Sequence, residues 1–277
     1  MRRLSFVIRF LIRPQIALLC ASIFTASAFA AELRLITAEL PPYTFQVPPA
    51  TVAEFPGPGQ GLVQEVVVEM ARRVGHSGSI EYMPWARAQQ IAMTEPNVGI
   101  LSLTRSPERE DKYRWLAKVV SDDLVLVGGQ GVDASSLDKV KDRPTGVLLR
   151  SGAEALLRDK GFTRVEPAPE EWLNARKMKE RRIDAWLAPR LMVIYATQEV
   201  QGDLATLNIG EIVRPSDIYL AASKGLPDAE AAKWEAAFAA MQADGTYGRI
   251  LQKYRRMKAT PIPDDARRLA NDPVWAY

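Results

Sequence analysis

The sequence predicts an α/β protein made of two units of similar style, and three observations carry that prediction. From residue 32 to residue 104, short apolar or alternating segments of strand length take turns with segments whose apolar residues recur at helical spacing. The order strand, helix, strand, helix, strand belongs to a mostly parallel sheet. A break rich in glycine, Gly128-Gly129-Gln130-Gly131, follows, and a second run of the same kind extends from Thr145 to Thr197. The 47% hydrophobic content over 277 residues is that of a globular protein with a substantial core.

The first thirty residues stand apart. Arg2, Arg3, Arg9 and Arg13 give a basic start, Ile16 to Phe24 is a short apolar run, and Ala28-Phe29-Ala30 supplies small residues for a signal-peptidase cut. We expect residues 1–30 to be a signal peptide cleaved after Ala30. A membrane anchor is the competing reading, but the apolar run is too short to span a bilayer and Arg9 and Arg13 interrupt its extension. A lipidated Cys20 is disfavoured because Leu19 stands where a small residue should precede it. The whole chain has 36 cationic and 33 acidic residues. Four of the cations lie in the leader, which leaves 32 against 33, so the basic balance belongs to the leader and no global case for nucleic acid or anionic lipid survives. Cys20 is the single cysteine and His76 the single histidine. The mature chain therefore holds no disulfide, no histidine or thiolate metal cluster and no ready serine-histidine triad, and no cofactor is expected.

Taken in order, Glu32 to Thr37 alternates and reads as a first strand. It enters Ala38-Glu39-Leu40-Pro41-Pro42-Tyr43-Thr44-Phe45, where paired prolines forbid a helix. The loop continues over residues 46–60 with four more prolines, and is either a functional lip over a pocket or a mobile insertion. Leu62, Val66, Met70, Ala71 and Val74 fall at helical spacing, with Gly75 closing the helix. Ser79 to Met83 reads as a strand, Trp85 to Met93 as a helix opened by Pro84, and Val98 to Leu103 as a strand running into Thr104. Asp123 to Val127 is a further strand. The second unit reads as strand Thr145–Leu149, helix Gly152–Lys160, strand Arg164–Glu166, helix Glu170–Lys179, strand Ile183–Leu187 and helix Arg190–Thr197. Ala205 to Val213 and Ile218 to Ala222 are strand-like. Pro227 opens a helix with Trp234, Phe238 and Met241 on one face, Gly245 ends it, and a last helix carries Tyr247, Ile250, Leu251 and Tyr254.

The segment Ser102-Leu103-Thr104-Arg105-Ser106-Pro107-Glu108-Arg109 holds the clearest chemistry. A strand ends there in a turn set by Pro107, and ligands of open α/β sheets sit at such carboxyl ends. Two hydroxyls, Ser102 and Thr104, and the planar donor fork of Arg109 are the parts needed to hold a small carboxylate, although the segment taken alone fits a solvated charged loop better.

These residues, taken together, resemble the bacterial extracellular solute-binding proteins of family three, the polar-amino-acid type that serves ABC importers. The resemblance rests on Pro41-Pro42-Tyr43, Gly61-Leu62-Val63-Gln64-Glu65, Thr104-Arg105-Ser106-Pro107-Glu108-Arg109, Gly146 to Gly152, Arg182-Ile183-Asp184-Ala185 and Asp244 to Tyr254, in that order and spacing. Tyr82-Met83-Pro84-Trp85-Ala86-Arg87-Ala88 further resembles a branch with a Pro-Trp-x-Arg-Ala motif. The resemblance implies an α/β, two-lobed periplasmic binding protein type II fold with two hinge-crossing strands. Lobe one would be 31–126 plus 214–277 and lobe two 127–213, with crossings at Leu124 to Val127 and Val213 to Tyr219.

It also implies a periplasmic monomer that captures a carboxylate-bearing solute, an amino acid or organic acid, by hinge closure and delivers it to a membrane ABC permease in trans. Arg109 and Thr104 would grip the ligand carboxylate, the Ser102 carbonyl would accept from a ligand ammonium, and Ser151 and Gly152 would offer backbone N–H groups at a helix start. Tyr43 and Trp85 would flank the ligand, stacking on a flat ligand group or on Arg87, and core packing serves Trp85 equally. The chain departs from the family's pattern at the ammonium partner: Leu187-Ala188-Pro189-Arg190 has no acid, and Thr37 stands where the first-strand acid would be. Glu39 is the candidate substitute, and Arg87 and Arg150 would bias the cleft toward anions. The alternatives are a cyclohexadienyl-dehydratase-like enzyme on the same scaffold with Glu39 as general acid, and a ligand-sensing module.

Overall fold

The computed structural model describes residues 32–46 and 61–254. The expected signal peptide and all but the first residue of the 46–60 segment lie outside the described residues. Ten strands and seven helices follow one another as β1 (Arg34–Thr37), α1 (Leu62–Val74), β2 (Ile80–Tyr82), α2 (Trp85–Thr94), β3 (Val98–Thr104), β4 (Tyr113–Val120), β5 (Asp123–Gly128), β6 (Thr145–Leu148), α3 (Gly152–Asp159), β7 (Val165–Ala168), α4 (Glu171–Lys179), β8 (Ala185–Pro189), α5 (Arg190–Glu199), β9 (Asn208–Pro215), β10 (Ile218–Ser223), α6 (Asp228–Ala243) and α7 (Thr246–Tyr254).

They form two five-stranded sheets, ordered β2-β1-β3-β10-β4 and β7-β6-β8-β5-β9. This is the two-lobed α/β architecture expected. Each sheet is mixed rather than mostly parallel. In the first, β2, β1 and β3 are parallel while β10 runs antiparallel to both β3 and β4; in the second, β5 runs antiparallel to β8 and β9. The sequence reading also passed over β4, where Arg114 and Lys118 interrupt the alternation of Tyr113 to Val120. The strand exists because its backbone pairs with β10 along most of its length.

The apolar stripe of α1 is buried on the first sheet, and the helix ends at Gly75, whose φ of 76° takes the left-handed cap. Trp234 and Met241 of α6 join the same core. The second sheet is covered on both faces. Leu126, Val147, Leu157 and Leu187 pack on one side, and Val125, Val127, Trp186 and Val193 on the other, which accounts for the continuous apolar runs of β5 and β8.

The chain passes from the first sheet to the second at residues 121–122 and returns at 216–217. These passages lie side by side, the Ser216 N–H donating to the Asp122 carbonyl at 2.7 Å. The strand β5 pairs with β8 and β9 from its first residues, so Asp123 to Leu126 lie in the second sheet. At the other end, β9 stays in the second sheet as far as Pro215. Among the described residues, no helix is long and apolar enough to cross a membrane, and no group of three or more His, Cys, Asp or Glu side chains is placed to hold a metal ion.

Candidate functional site

The carboxyl end of β3 forms one wall of a cleft between the two sheets. Ser102 is buried within the strand at φ 61°, a left-handed conformation that a non-glycine residue adopts at an energetic penalty, and such positions cluster at ligand sites. Its Oγ lies 3.4 Å from Thr44 Oγ1. Beyond Thr104, Pro107 opens a one-turn 3-10 helix, Pro107–Arg109, that folds Arg109 back over the strand end. The guanidinium donates from Nη1 to the Thr104 carbonyl at 3.1 Å and from Nη2 to Gln89 Oε1 at 2.7 Å. Those two bonds fix the fork and leave other N–H groups to face the cleft. Burial pulls the Arg109 pKa below its ordinary value, and the nearby Arg214 charge acts the same way. No ion pair among the described residues includes Arg109; the Glu108 charge acts on it from beyond ion-pair distance, so the desolvated cation is only partly balanced.

The facing wall begins where β6 ends. Arg150 turns the chain at φ 55°, and Ser151 caps α3, its Oγ accepting from the Glu154 N–H at 3.2 Å. The N–H groups of Gly152 and Ala153, in the first turn, have no intrahelical acceptor, and the helix dipole favours negative charge beside them. Arg214, near the end of β9, points to the same place. A Cβ built on Gly152 would lie 3.2 Å from Arg214 Nη2 and 4.0 Å from Arg109 Nη1. Two guanidinium groups, one from the 3-10 turn after β3 and one from β9, thus converge on one helix start, and among the described residues the exposed Glu108, 3.7 Å from Arg214, is the only carboxylate in an ion pair with either.

The cleft contains about 580 Å³ of empty space open to solvent. Its other surfaces are largely apolar, with Leu40, Trp85, Leu124, Pro189 and Met192 among them. Among the described residues one acid lines it: Glu171, the first residue of α4, which is only 5% exposed. Its Oε2 accepts from Asn174 Nδ2 and Trp186 Nε1, each at 2.8 Å. Burial raises the carboxyl to about 7 against the opposing pull of those two donors. Near the first passage between sheets, the Tyr43 hydroxyl donates to Asp122, whose carboxylate also accepts from the N–H of Asp123 at 2.7 Å and of Leu191 at 3.1 Å. Across the cleft mouth, Gln89 Nε2 donates to the Arg150 carbonyl at 3.2 Å.

Of the residues singled out from the sequence, Arg109, Thr104, Ser102, Ser151, Gly152, Tyr43 and Trp85 line this one cleft. Arg87 and Glu39 are not among its lining residues. Arg87 is exposed and its charge acts on Glu81, because positions two apart on a helix point about 200° apart and Trp85 takes the inward direction. Glu39 is half-buried outside the cleft lining, accepting from the Gln46 N–H at 3.1 and 3.3 Å. Burial, with repulsion from Glu170, raises it to about 7. Arg150 is exposed as well and meets the cleft mouth through its carbonyl. Neither of the Arg105 cation-π contacts, to Trp115 and Tyr219 at 5.4 Å, involves the residues expected to stack. Sequence reading did not find Arg214, Glu171, Gln89 or Asp122. The one local signal is that Arg214 and Asp122 flank the two passages between the sheets.

No protein-family model matches the sequence, and no curated protein matches it. Many solved structures share its fold. A histidine kinase sensor domain with similarity to periplasmic binding proteins superposes with a TM-score of 0.68 at 15% identity, covering 82% of this chain and 98% of that one. The GluR0 ligand-binding core from Nostoc punctiforme, in complex with L-glutamate, gives 0.68 at 16% identity over 80% and 98%. The substrate-binding protein of an ABC uptake transporter from Streptococcus pneumoniae, with bound histidine, gives 0.68 at 16% identity over 82% and 94%. The chain has the fold of these two-lobed binding proteins.

Proposed function

We propose that this chain is a solute-binding protein of the family-three type, with a Pro-Trp-x-Arg-Ala motif, that captures a small carboxylate-bearing solute between its lobes. The two sheets are the cores of the two lobes, exchanging at residues 121–122 and 216–217. Residues 1–30 act as a signal peptide cleaved after Ala30, the mature protein works in the periplasm as a monomer, and the closed, loaded form is delivered to a membrane ABC permease. The carrying observation is the convergence of Arg109, Arg214 and the start of α3 on one point, with no carboxylate paired to Arg109 among the described residues. Such a site holds a partly desolvated positive charge that a carboxylate neutralises through charge-assisted, bidentate hydrogen bonds. Gln89 is bonded at once to Arg109 and to the Arg150 carbonyl, so it ties the ligand clamp to the closure of the lobes.

The comparisons support a binding role, since the proteins named above are a substrate-binding protein, a receptor core and a sensor domain. The last two also keep a sensing role as the second reading, in which the same closed form is read by a signalling partner in trans. Glu39 is not among the residues that line the cleft, which weighs against the dehydratase-like alternative with Glu39 as its general acid. Calorimetric titration of the mature protein with the twenty L-amino acids and a set of organic acids tests the reading. It predicts saturable binding by at least one carboxylate, abolished in Arg109→Ala. No binding by any carboxylate, or binding unchanged in the variant, refutes it.

A further inference from the structure

One carboxylate oxygen ties the two lobes together at the first passage between the sheets. Asp122 lies in that passage, and its carboxylate is engaged on both oxygens by the chain itself. Oδ1 accepts from the Asp123 N–H at 2.7 Å, while Oδ2 accepts from two directions. One donor is the Tyr43 hydroxyl, on the loop that follows β1 of the first sheet. The other is the Leu191 N–H, at 3.1 Å, in the first turn of α5, a helix that packs on the second sheet. Pro189 precedes α5 and gives it no side-chain cap, so Asp122 supplies an acceptor to an N–H that has none within the helix, with the helix dipole in its favour.

The head of α5 is held by apolar contact as well. Leu191 and Met192 belong to α5 and Leu148 ends β6, yet all three pack into the core of the first sheet, where Met192 is 4% exposed. Two further contacts cross between the lobes: the Phe45 ring lies 5.8 Å from that of Tyr195, and Gln89 Nε2 reaches the Arg150 carbonyl. Rotation about the passages at 121–122 and 216–217 cannot keep both Tyr43 and α5 on one oxygen. Opening the cleft therefore breaks a charge-assisted hydrogen bond and uncovers buried apolar side chains.

We propose that Asp122, Tyr43 and the start of α5 form a clasp that holds the lobes closed through the chain's own contacts, before a ligand adds any. Closure is then the resting state, and a minor open form admits the solute. A ligand that fits the closed form meets it at high occupancy, so its apparent affinity stays near the intrinsic one while its entry waits on opening. Tyr43 also lines the cleft, so a ligand packed against its ring acts on the clasp directly. The clasp requires only the two-lobed fold and stands or falls separately from the carboxylate site.

The test reads lobe separation directly. Cys20 is the only cysteine and lies in the expected leader, so the mature protein accepts a labelled pair, Gln90→Cys and Ala155→Cys, at exposed positions on α2 and α3 across the cleft mouth. The protein is unfolded in guanidinium, dialysed and refolded to remove any co-purified solute, and spin-label distances are measured by pulsed electron paramagnetic resonance. The expected result is one dominant population at the separation seen in this structure. A second, longer population should emerge in Tyr43→Phe and in Met192→Ser, each first checked for a cooperative thermal transition, as the closed-to-open ratio falls about tenfold. A longer separation that dominates in the solute-free wild type overturns the clasp, and that result needs no variant. So does a distribution that stays the same in both folded variants.

Discussion

Arg214 Nη2 stands 3.2 Å from the point that a Cβ on Gly152 would occupy, with Arg109 Nη1 4.0 Å from the same point. The glycine leaves room for a guanidinium at the helix start. Gly152→Ala pushes Arg214 aside by a few tenths of an ångström. It is expected to weaken ligand binding several-fold in calorimetry, and its thermal midpoint should stay near that of the wild type because alanine suits a first helical turn.

Arg109 uses its fork twice, donating to Thr104 and Gln89 while presenting other N–H groups to the cleft. Lysine keeps the charge but has no planar fork. Arg109→Lys should bind at least tenfold more weakly, in line with about 1.5–3 kcal/mol for each charge-assisted hydrogen bond lost. An unchanged affinity would show that charge alone suffices.

Glu171 gives the unliganded protein a pH dependence of definite sign. Its carboxyl rises from 4.5 to about 7 on folding, so between those values the native state holds a proton that the unfolded chain releases. Stability therefore falls as pH rises through that window, by up to about 3 kcal/mol from this group. Denaturant unfolding from pH 4.5 to 8 should show a decline that is shallower in Glu171→Gln, with Glu39 supplying the slope that remains.

Tyr43 ties the loop after β1 to the passage between sheets through Asp122. Asp122 is held above its ordinary pKa by burial, against the pull of the Tyr43 hydroxyl and two backbone donors. Tyr43→Phe removes one of these. Thermal unfolding at neutral pH should report a loss of about 1–3 kcal/mol, the usual penalty for a buried polar group left short of a partner.

Much of the fold was legible because its helices carry strong stripes and definite ends: α1 runs from Leu62 to the Gly75 cap, and α2 starts at Pro84. β4 was not, since its pattern is broken by Arg114 and Lys118 and its existence depends on pairing with β10, about a hundred residues away. The site divides in the same way. Ser102, Thr104 and Arg109 belong to one strand end and its turn, and Ser151-Gly152 to one helix start, so local chemistry announced them. The spacing bears on Arg87 as well, because Trp85 and Arg87 do not share a helix face. Arg214 and Glu171 were out of reach. An arginine beside Pro215 and an acid in the first turn of a helix are commonplace locally, and only the packing of β9 and α4 around the cleft gives them a role.

The most direct measurement is a crystal structure of the mature protein with the ligand that titrates into it, or with whatever carboxylate co-purifies. The account predicts a carboxylate between Arg109, Arg214 and the Gly152 N–H, with the lobes closed over it. A ligand bound elsewhere, or one whose carboxylate points away from Arg109, would contradict it.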